Sequence, residues 1–147
     1  MTDARPDLAA MLAPLVRSLI AAEHPVLDRH GVSMWGYSVL TALDDRPDDN
    51  PIRTQAALAE AIGADKTRII AYLDELQDRG LISREPDPDD RRVRLLAITD
   101  AGRQLRRAVR ADIQARENEL LATLPAADRK GFLRALRTLS DMARREP

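Results

Sequence analysis

TQAALAEAIGADKTRIIAYLDELQDRG, residues 54–80, is the stretch that decides the fold. Thr54 is a suitable N-cap for a first short helix, and Gly63 is the residue type that ends one. Asp65 is a second N-cap, for a helix that we expect to end before Gly80. Two short helices joined by a glycine-containing turn of about three residues form the helix-turn-helix pattern.

Two strand-like segments follow the second helix. Residues 81–84 (LISR) and 93–98 (VRLLAI) suit strands, whereas 85–92 (EPDPDDRR) are too polar and proline-rich for anything but a hairpin tip. A β-hairpin directly after a helix-turn-helix is a wing. An arginine on such a projection can enter the narrow minor groove of DNA, where the negative potential is strongest. A solvated turn is the alternative, because acidic side chains in the tip nearly cancel its positive charge.

The second helix of the pair has two unlike faces. At 100° per residue, Ile69, Leu73 and Leu76 share one sector, which must face the core. The opposite sector holds short, hydrogen-bonding or apolar side chains, namely Thr67, Ala71 and Asp74, flanked by Arg68 and Ile70. Such a surface suits the major groove, since arginine pairs with guanine, threonine bonds several bases and apolar groups contact the thymine methyl. The alternative is an ordinary amphipathic helix with a solvated face, and the outward Ile70 argues mildly against it.

The flanking segments carry apolar stripes at helical spacing. The first stripe consists of Leu8, Leu12, Leu15 and Leu19. We expect Pro25 to kink or interrupt this first helix before Gly31 ends it. Ser33, Thr99 and Pro125 begin three further helices. Exposed stripes of this length usually bind a partner, and a second copy of the chain is the simplest one.

These patterns predict a mainly α protein with one small β-hairpin, a winged helix-turn-helix flanked by dimerisation helices. We expect a single domain over residues 1–147, with a DNA-binding lobe at 33–99. The dimerisation helices are predicted at 7–30 and 100–145. The aspartate- and proline-rich stretch 44–51 has the composition of an exposed loop.

Composition narrows the possible functions. The chain has 147 residues, 44% of them hydrophobic and 3% aromatic, as expected for a small core of packed helices. Apolar runs fall short of 18 residues and no secretion signal is evident, so we expect a cytoplasmic protein with no membrane association. The absence of cysteine excludes disulfides, and two histidines make a structural zinc site improbable; no metal or cofactor is predicted. The net charge of −1 means that any DNA-binding charge must be local.

An enzyme and a pure dimerisation module are the rival classes. The serines lie in no nucleophile-elbow motif, and no phosphate loop or dinucleotide fingerprint is present, so we predict that the chain is not an enzyme. A pure dimerisation module would not explain the presence of the wing.

Four motifs occur in one order and resemble the MarR family of transcriptional regulators. They are GADKTR (63–68), LDELQDRGLI (73–82), DPDDRR (87–92) and LAITDAG (96–102). The helix layout matches that family from about Leu8 to Met142. Two departures are a longer, more acidic loop before Thr54 and the absence of the cysteine used by peroxide-sensing members.

The resemblance implies a homodimer with interlocked terminal helices, which binds a palindromic operator as a repressor. The recognition helix would extend from Asp65 to Arg79. The family's Asp-x-Arg wing element falls on Asp90 and Arg92, where the arginine enters the minor groove and the aspartate orients it. The predicted DNA-binding residues are Thr54, Gln55, Asp65, Lys66, Thr67, Arg68, Ile70, Ala71, Arg84, Asp90, Arg91, Arg92 and Arg94.

Members of the family are commonly released from DNA by small lipophilic or phenolic ligands, and the resemblance implies the same for this chain. The residues predicted to line a ligand pocket are Arg17, His24, His30, Trp35 and Tyr37. For Trp35 a purely structural role in the core is the alternative, and for the histidines a position facing the solvent.

Overall fold

The computed structural model describes residues 4–45 and 54–146. Its elements are α1 (Leu8–His30), α2 (Met34–Asp44), α3 (Gln55–Ile62), α4 (Lys66–Asp78), β1 (Ile82–Pro86), β2 (Arg94–Ile98), α5 (Asp100–Leu121) and α6 (Ala126–Arg145). The two strands form one antiparallel hairpin. The predicted mainly helical class with a small hairpin wing is confirmed. Most of the loop predicted at 44–51 lies outside the described residues.

The predicted helix caps form as expected. Ser33 accepts a hydrogen bond from the Gly36 amide at 2.9 Å, and Thr99 accepts one from the Gly102 amide at 3.1 Å. Gly63 closes α3 in the left-handed conformation with φ of 70°, which costs glycine no steric penalty. These capping residues therefore set the helix boundaries at the positions that the sequence predicts.

The prediction that Pro25 would kink or interrupt the first helix is wrong about an interruption, because α1 continues through it to His30. A proline inside a helix removes one backbone hydrogen bond and its ring crowds the carbonyl four residues earlier, so continuation of the helix has a cost. The next two residues, Val26 and Leu27, are buried against α5. Packing on the following turn offsets the missing bond.

The described core consists of two clusters. The first joins α2, α3, α4 and both strands, and the second joins the end of α1 to Val109 and Ile113 of α5. Leu105 packs against both clusters and links them. A Cβ on Gly102 would lie 2.1 Å from the Leu81 carbonyl oxygen, so α5 starts in direct backbone contact with the hairpin. The hairpin and α5 are thus rigidly joined.

Helix α1 is the one described helix that is long and apolar enough to cross a membrane by length and composition. Only 11% of that span is buried within the chain. The uninterrupted apolar runs of α1 are nevertheless shorter than 18 residues, because Arg17 and Glu23 divide them. One such helix near an N-terminus is weak evidence, because helices of soluble proteins pass the same test.

Candidate nucleic-acid interface

Helix α4 presents the predicted face to solvent. Asp65 caps it by accepting a hydrogen bond from the Thr67 amide at 2.9 Å. Ile69, Leu73 and Leu76 are buried in the core. The first turns expose Lys66, Thr67, Arg68, Ile70 and Ala71. An isoleucine left 45% exposed beside an arginine and a threonine is a mixed polar and apolar surface of the kind that base edges require.

Helix α3 supports α4 and leaves its own first turn open. Thr54 accepts a hydrogen bond from the Ala57 amide at 3.0 Å, while Leu58 and Ala59 are buried against the core. Gln55, the first helical residue, is half-buried. The free amides of this turn and the Gln55 side chain can therefore approach a phosphate.

The wing tip holds one arginine in a defined position. Asp90 Oδ1 accepts hydrogen bonds from the Arg92 amide at 3.1 Å and from Arg92 Nε at 3.3 Å. The Arg92 side chain is nevertheless 92% exposed. Because its carboxylate partner lies only two residues away, the guanidinium projects outward from a turn that already orients it. Arg91 is exposed next to it.

The other two wing cations have different surroundings. Arg84 points towards α4, where Nε donates to Gln77 Oε1 at 2.5 Å and a terminal nitrogen forms an ion pair with Asp74. Arg94 is exposed, and it lines a polar cleft together with Gln55, Gln77 and Arg84. Gln77 was missing from the predicted site. Its spacing of three residues from Asp74 on α4 was the signal that could have identified it.

The residues predicted for ligand binding have different surroundings within the described chain. Trp35 lies against Tyr72 of α4, with ring centroids 6.5 Å apart, whereas Tyr37 packs on the α1–α5 cluster. Arg17 and His24 are exposed on α1. Of the five predicted residues, Tyr37 is the one that lines a described cleft, between α2 and α3.

His30 is held by a carboxylate on α5. Its Nε2 lies 2.7 Å from Asp112 Oδ2. This hydrogen bond, with the nearby positive charges, holds the pKa of Asp112 below its usual value. The contact joins the end of α1 to the middle of α5, so His30 already has a structural partner.

A second surface is apolar rather than polar. Exposed large hydrophobic residues of the terminal helices are Leu8, Met11, Leu12, Val16, Ile20, Leu120, Phe132, Leu133, Leu136, Leu139 and Met142. Helix α6 buries none of its residues. We call this set the terminal apolar face. Its members lie on α1, α6 and the end of α5, far in sequence from the exposed face of α4.

Comparison with known proteins agrees with this geometry. The model of the MarR family matches residues 30–93, which run from the end of α1 through the wing tip. The crystal structure of MarR is 26% identical, with a TM-score of 0.81 and coverage of 99% of this chain and 96% of that one. This chain belongs to the MarR family. The resemblance seen in the sequence motifs is confirmed. Because members of this family are transcription regulators and not enzymes, the prediction that the chain is not an enzyme is confirmed as well.

Two further relatives of this MarR family member are informative. A putative transcriptional regulatory protein for the hcr operon of Thauera aromatica is 31% identical over 109 residues, which span 74% of this chain and 63% of that protein. CouR from Rhodococcus jostii RHA1 has been solved bound to p-coumaroyl-CoA; it is 28% identical, with a TM-score of 0.69 and coverage of 90% of this chain and 91% of that one. CouR has also been solved as a transcriptional repressor bound to a 23-mer DNA duplex, with a TM-score of 0.73.

Proposed function

We propose that this chain is a homodimeric repressor that binds a palindromic DNA operator and is released by a small lipophilic or phenolic ligand. The observation that carries the proposal is the combination of an exposed first half of α4, where Ile70 lies beside polar and cationic side chains, with an outward arginine oriented by Asp90 on the wing. A helix for the major groove and a cation for the minor groove then occur side by side on one lobe. We assign the protein to the cytoplasm, where such an operator would be found.

Base recognition is assigned to the first turns of α4. Arg68 is the residue able to make paired hydrogen bonds to guanine, and Thr67 can bond several bases. Ile70 and Ala71 can contact thymine methyl groups. Lys66 and the amides of the first turn that Asp65 does not cap are suited to phosphates, which fix the position of the helix without reading sequence.

Minor-groove binding is assigned to Arg92. Its bonds to Asp90 reduce the number of conformations that it must lose on binding, because the guanidinium is already directed away from the hairpin. The neighbouring Arg91 adds positive charge close to the backbone. The structure of the CouR repressor on duplex DNA supports DNA as the partner.

A homodimer is supported by the terminal apolar face. Large apolar patches on soluble proteins mark contact sites, and this one extends over three helices that surround the groove lined by Val16, Leu120 and Leu136. A two-fold pair would cover the face in both copies. It would also set two α4 helices at a fixed separation, as palindromic half-sites require.

Ligand release is supported by a cleft between α2 and α3. The cleft is lined by Tyr37, Ser38, Thr41 and Ile62, and Arg144 of α6 supplies a cation at its edge. An aromatic ring with an acidic group matches such a lining. The structure of CouR with p-coumaroyl-CoA makes aromatic acids and their thioesters the first ligands to try. Binding that favours one spacing of the α4 helices would lower DNA affinity.

Selection of preferred sites from a random DNA pool tests the DNA half of the proposal. We expect a two-fold symmetric sequence with half-sites about one helical turn apart. Arg68→Ala should lower discrimination between the selected site and random DNA by about 1–3 kcal/mol, while Arg134→Ala, on the polar side of α6, should leave it unchanged. A pool with no preferred sequence would instead favour a dimerisation module.

Titration of the complex between protein and operator tests the ligand half. Aromatic acids and their CoA thioesters are added to protein bound to the selected site, with aliphatic acids of similar charge as controls. Release by members of the aromatic set alone is the expected result. If both sets leave the affinity unchanged, the sensing half of the proposal is wrong while the DNA half stands.

A further inference from the structure

Arg84 lies on the face of the hairpin that packs against the helices. In the register of the sheet, Arg84 is opposite Leu96, and the next pairs on the same face are Ile82 with Ile98 and Pro86 with Arg94. Residues of paired positions point to the same side of a sheet. Ile82, Leu96 and Ile98 are buried in the lobe core, so the Arg84 side chain is directed towards α4 as well.

Two partners on one helix hold the Arg84 guanidinium. Nε donates to Gln77 Oε1 at 2.5 Å, and a terminal nitrogen pairs with the carboxylate of Asp74. Asp74 and Gln77 are three residues apart and therefore neighbours on the surface of α4. A planar guanidinium with two fixed acceptors keeps one orientation. The Arg84 side chain is left only 17% exposed.

This arrangement disfavours a direct contact between Arg84 and DNA. The charge of Arg84 is already compensated by Asp74, so a phosphate would gain little from approaching the pair. A phosphate that drew the guanidinium away would leave the Asp74 carboxylate, which is 55% exposed, unpaired beside a polyanion.

Arg94 is the contrasting cation on the same face of the sheet. It is exposed, and it has no ion pair among residues 4–45 and 54–146. It lines the cleft that reaches Gln55 in the first turn of α3. An uncompensated arginine next to a helix N-terminus suits a backbone phosphate.

We propose that Arg84 is a positioning residue which ties the wing to the recognition helix, and that Arg94 rather than Arg84 contacts the DNA backbone. The inference rests on the proposed DNA binding and assigns a different role to a residue that the sequence pattern placed among the DNA contacts. DNA binding by this lobe requires α4 in the major groove and Arg92 in the adjoining minor groove at the same time. The ion pair between Arg84 and Asp74 fixes the distance between these two elements.

The test compares variants at each partner of the pair. Affinities for the selected operator and for random duplex are measured by fluorescence anisotropy at several KCl concentrations, for Asp74→Asn, Arg84→Gln, the double variant and Arg94→Gln. We expect Asp74→Asn to weaken operator binding by roughly fivefold or more although it removes a negative charge, because a lost charge-assisted bond is of that order. Arg84→Gln should behave alike, and the double variant should be no weaker than the weaker single one.

Salt dependence separates positioning from contact. Each phosphate contact contributes about 0.9 to the slope of log affinity against log salt. Asp74→Asn and Arg84→Gln should leave this slope unchanged and reduce operator affinity more than random-duplex affinity. Arg94→Gln, the matched control for a true contact, should lower the slope by about 0.9 per subunit and weaken both duplexes equally.

Three results would overturn the inference. One is tighter DNA binding by Asp74→Asn, and another is a reduced salt slope for Arg84→Gln. The third is a lower melting temperature with equal losses on operator and random duplex, which indicates a general loss of fold. A wild-type protein that treats both duplexes alike would overturn the proposed function together with the positioning role, whereas the first three results leave the proposed function intact.

Discussion

The DNA-binding lobe and the terminal helices differ in how much of their apolar surface is buried within the chain. Between α2 and β2 most of the large apolar side chains are buried or partly buried, the majority in one cluster, and Ile70 is the one large hydrophobic residue left exposed among those described. On α1, α6 and the end of α5 the large apolar side chains are mostly exposed, with Leu139 and Met142 each at 58%. The lobe therefore covers its large apolar side chains within a single chain, whereas the terminal helices leave theirs exposed.

The difference shows what each region contributes to folding. Burial of apolar surface stabilises the lobe within a single chain. The terminal helices gain comparable stabilisation only when something covers them, so their stability should depend on protein concentration. Ile70 follows neither pattern, and the proposed contact with thymine methyl groups would cover it when DNA is bound.

Leu73→Ala should have the largest effect on stability. Leu73 is fully buried in the lobe cluster, and removal of such a side chain costs about 2–5 kcal/mol of the free energy of unfolding. Urea denaturation measures the loss, which should be independent of protein concentration. DNA binding would be lost with the fold.

Leu139→Ala is the matched control for that experiment, since Leu139 is exposed on α6. Its cost should be small at low protein concentration and should increase as the dimer forms. If Leu73→Ala and Leu139→Ala lowered the free energy of unfolding equally at every protein concentration, the contrast between a buried lobe core and exposed terminal helices would be wrong.

Leu136→Asp should prevent dimer formation. Leu136 lines the groove between α1, α5 and α6, and a buried leucine is worth about 1.5–3 kcal/mol in each of the two subunits. Sedimentation velocity should show a monomer at concentrations where the wild-type protein is a dimer. Arg134→Asp, on the opposite side of α6, should remain dimeric. A dimeric Leu136→Asp protein would place the contact between subunits elsewhere.

Arg92→Ala should weaken operator binding while changing neither dimerisation nor melting temperature. Among the described residues its hydrogen bonds and ion pair are all with Asp90, and the side chain is almost fully exposed, so its removal costs the fold little. Loss of one charge-assisted contact with DNA corresponds to roughly tenfold in affinity. Anisotropy and thermal denaturation on the same samples separate the two effects. Unchanged affinity would remove Arg92 from the interface.

Local patterns made the fold of the lobe predictable. Asp65, Thr54 and Thr99 have the side chains that cap helices, and the spacing of Ile69, Leu73 and Leu76 allows only one inward face. The same reasoning correctly placed Arg68 and Ile70 on the outside of α4. These inferences succeeded because they depend on interactions within a few residues of each other.

Contacts between distant elements were not predictable in the same way. The role of Arg84 depends on the register of the hairpin and on its distance from Asp74, which composition does not specify. Trp35 and Tyr37 were grouped because they are close in sequence. Residues two apart on a helix point to different sides, so the structure separates them.

Glu23→Gln should give the smallest effect and a pH-dependent one. Glu23 of α1 lies in a cleft with Glu117 of α5, and burial, followed by the charge of Glu117, raises the pKa of Glu23. The folded chain therefore binds this proton more tightly than the unfolded chain does. The contribution of Glu23 to stability is greatest below its unfolded pKa and is lost as the pH rises through its folded pKa.

At neutral pH the ionised Glu23 thus disfavours the folded state, and Gln removes that cost without changing the shape of the side chain. Urea denaturation between pH 4 and pH 8 should show the variant more stable than the wild-type protein at the upper end, with the difference vanishing at the lower end. If Glu23→Gln is instead less stable than the wild-type protein at neutral pH, the ionised Glu23 carboxylate forms a favourable ion pair. In that case α1 and α5 would be held together at this position by charge.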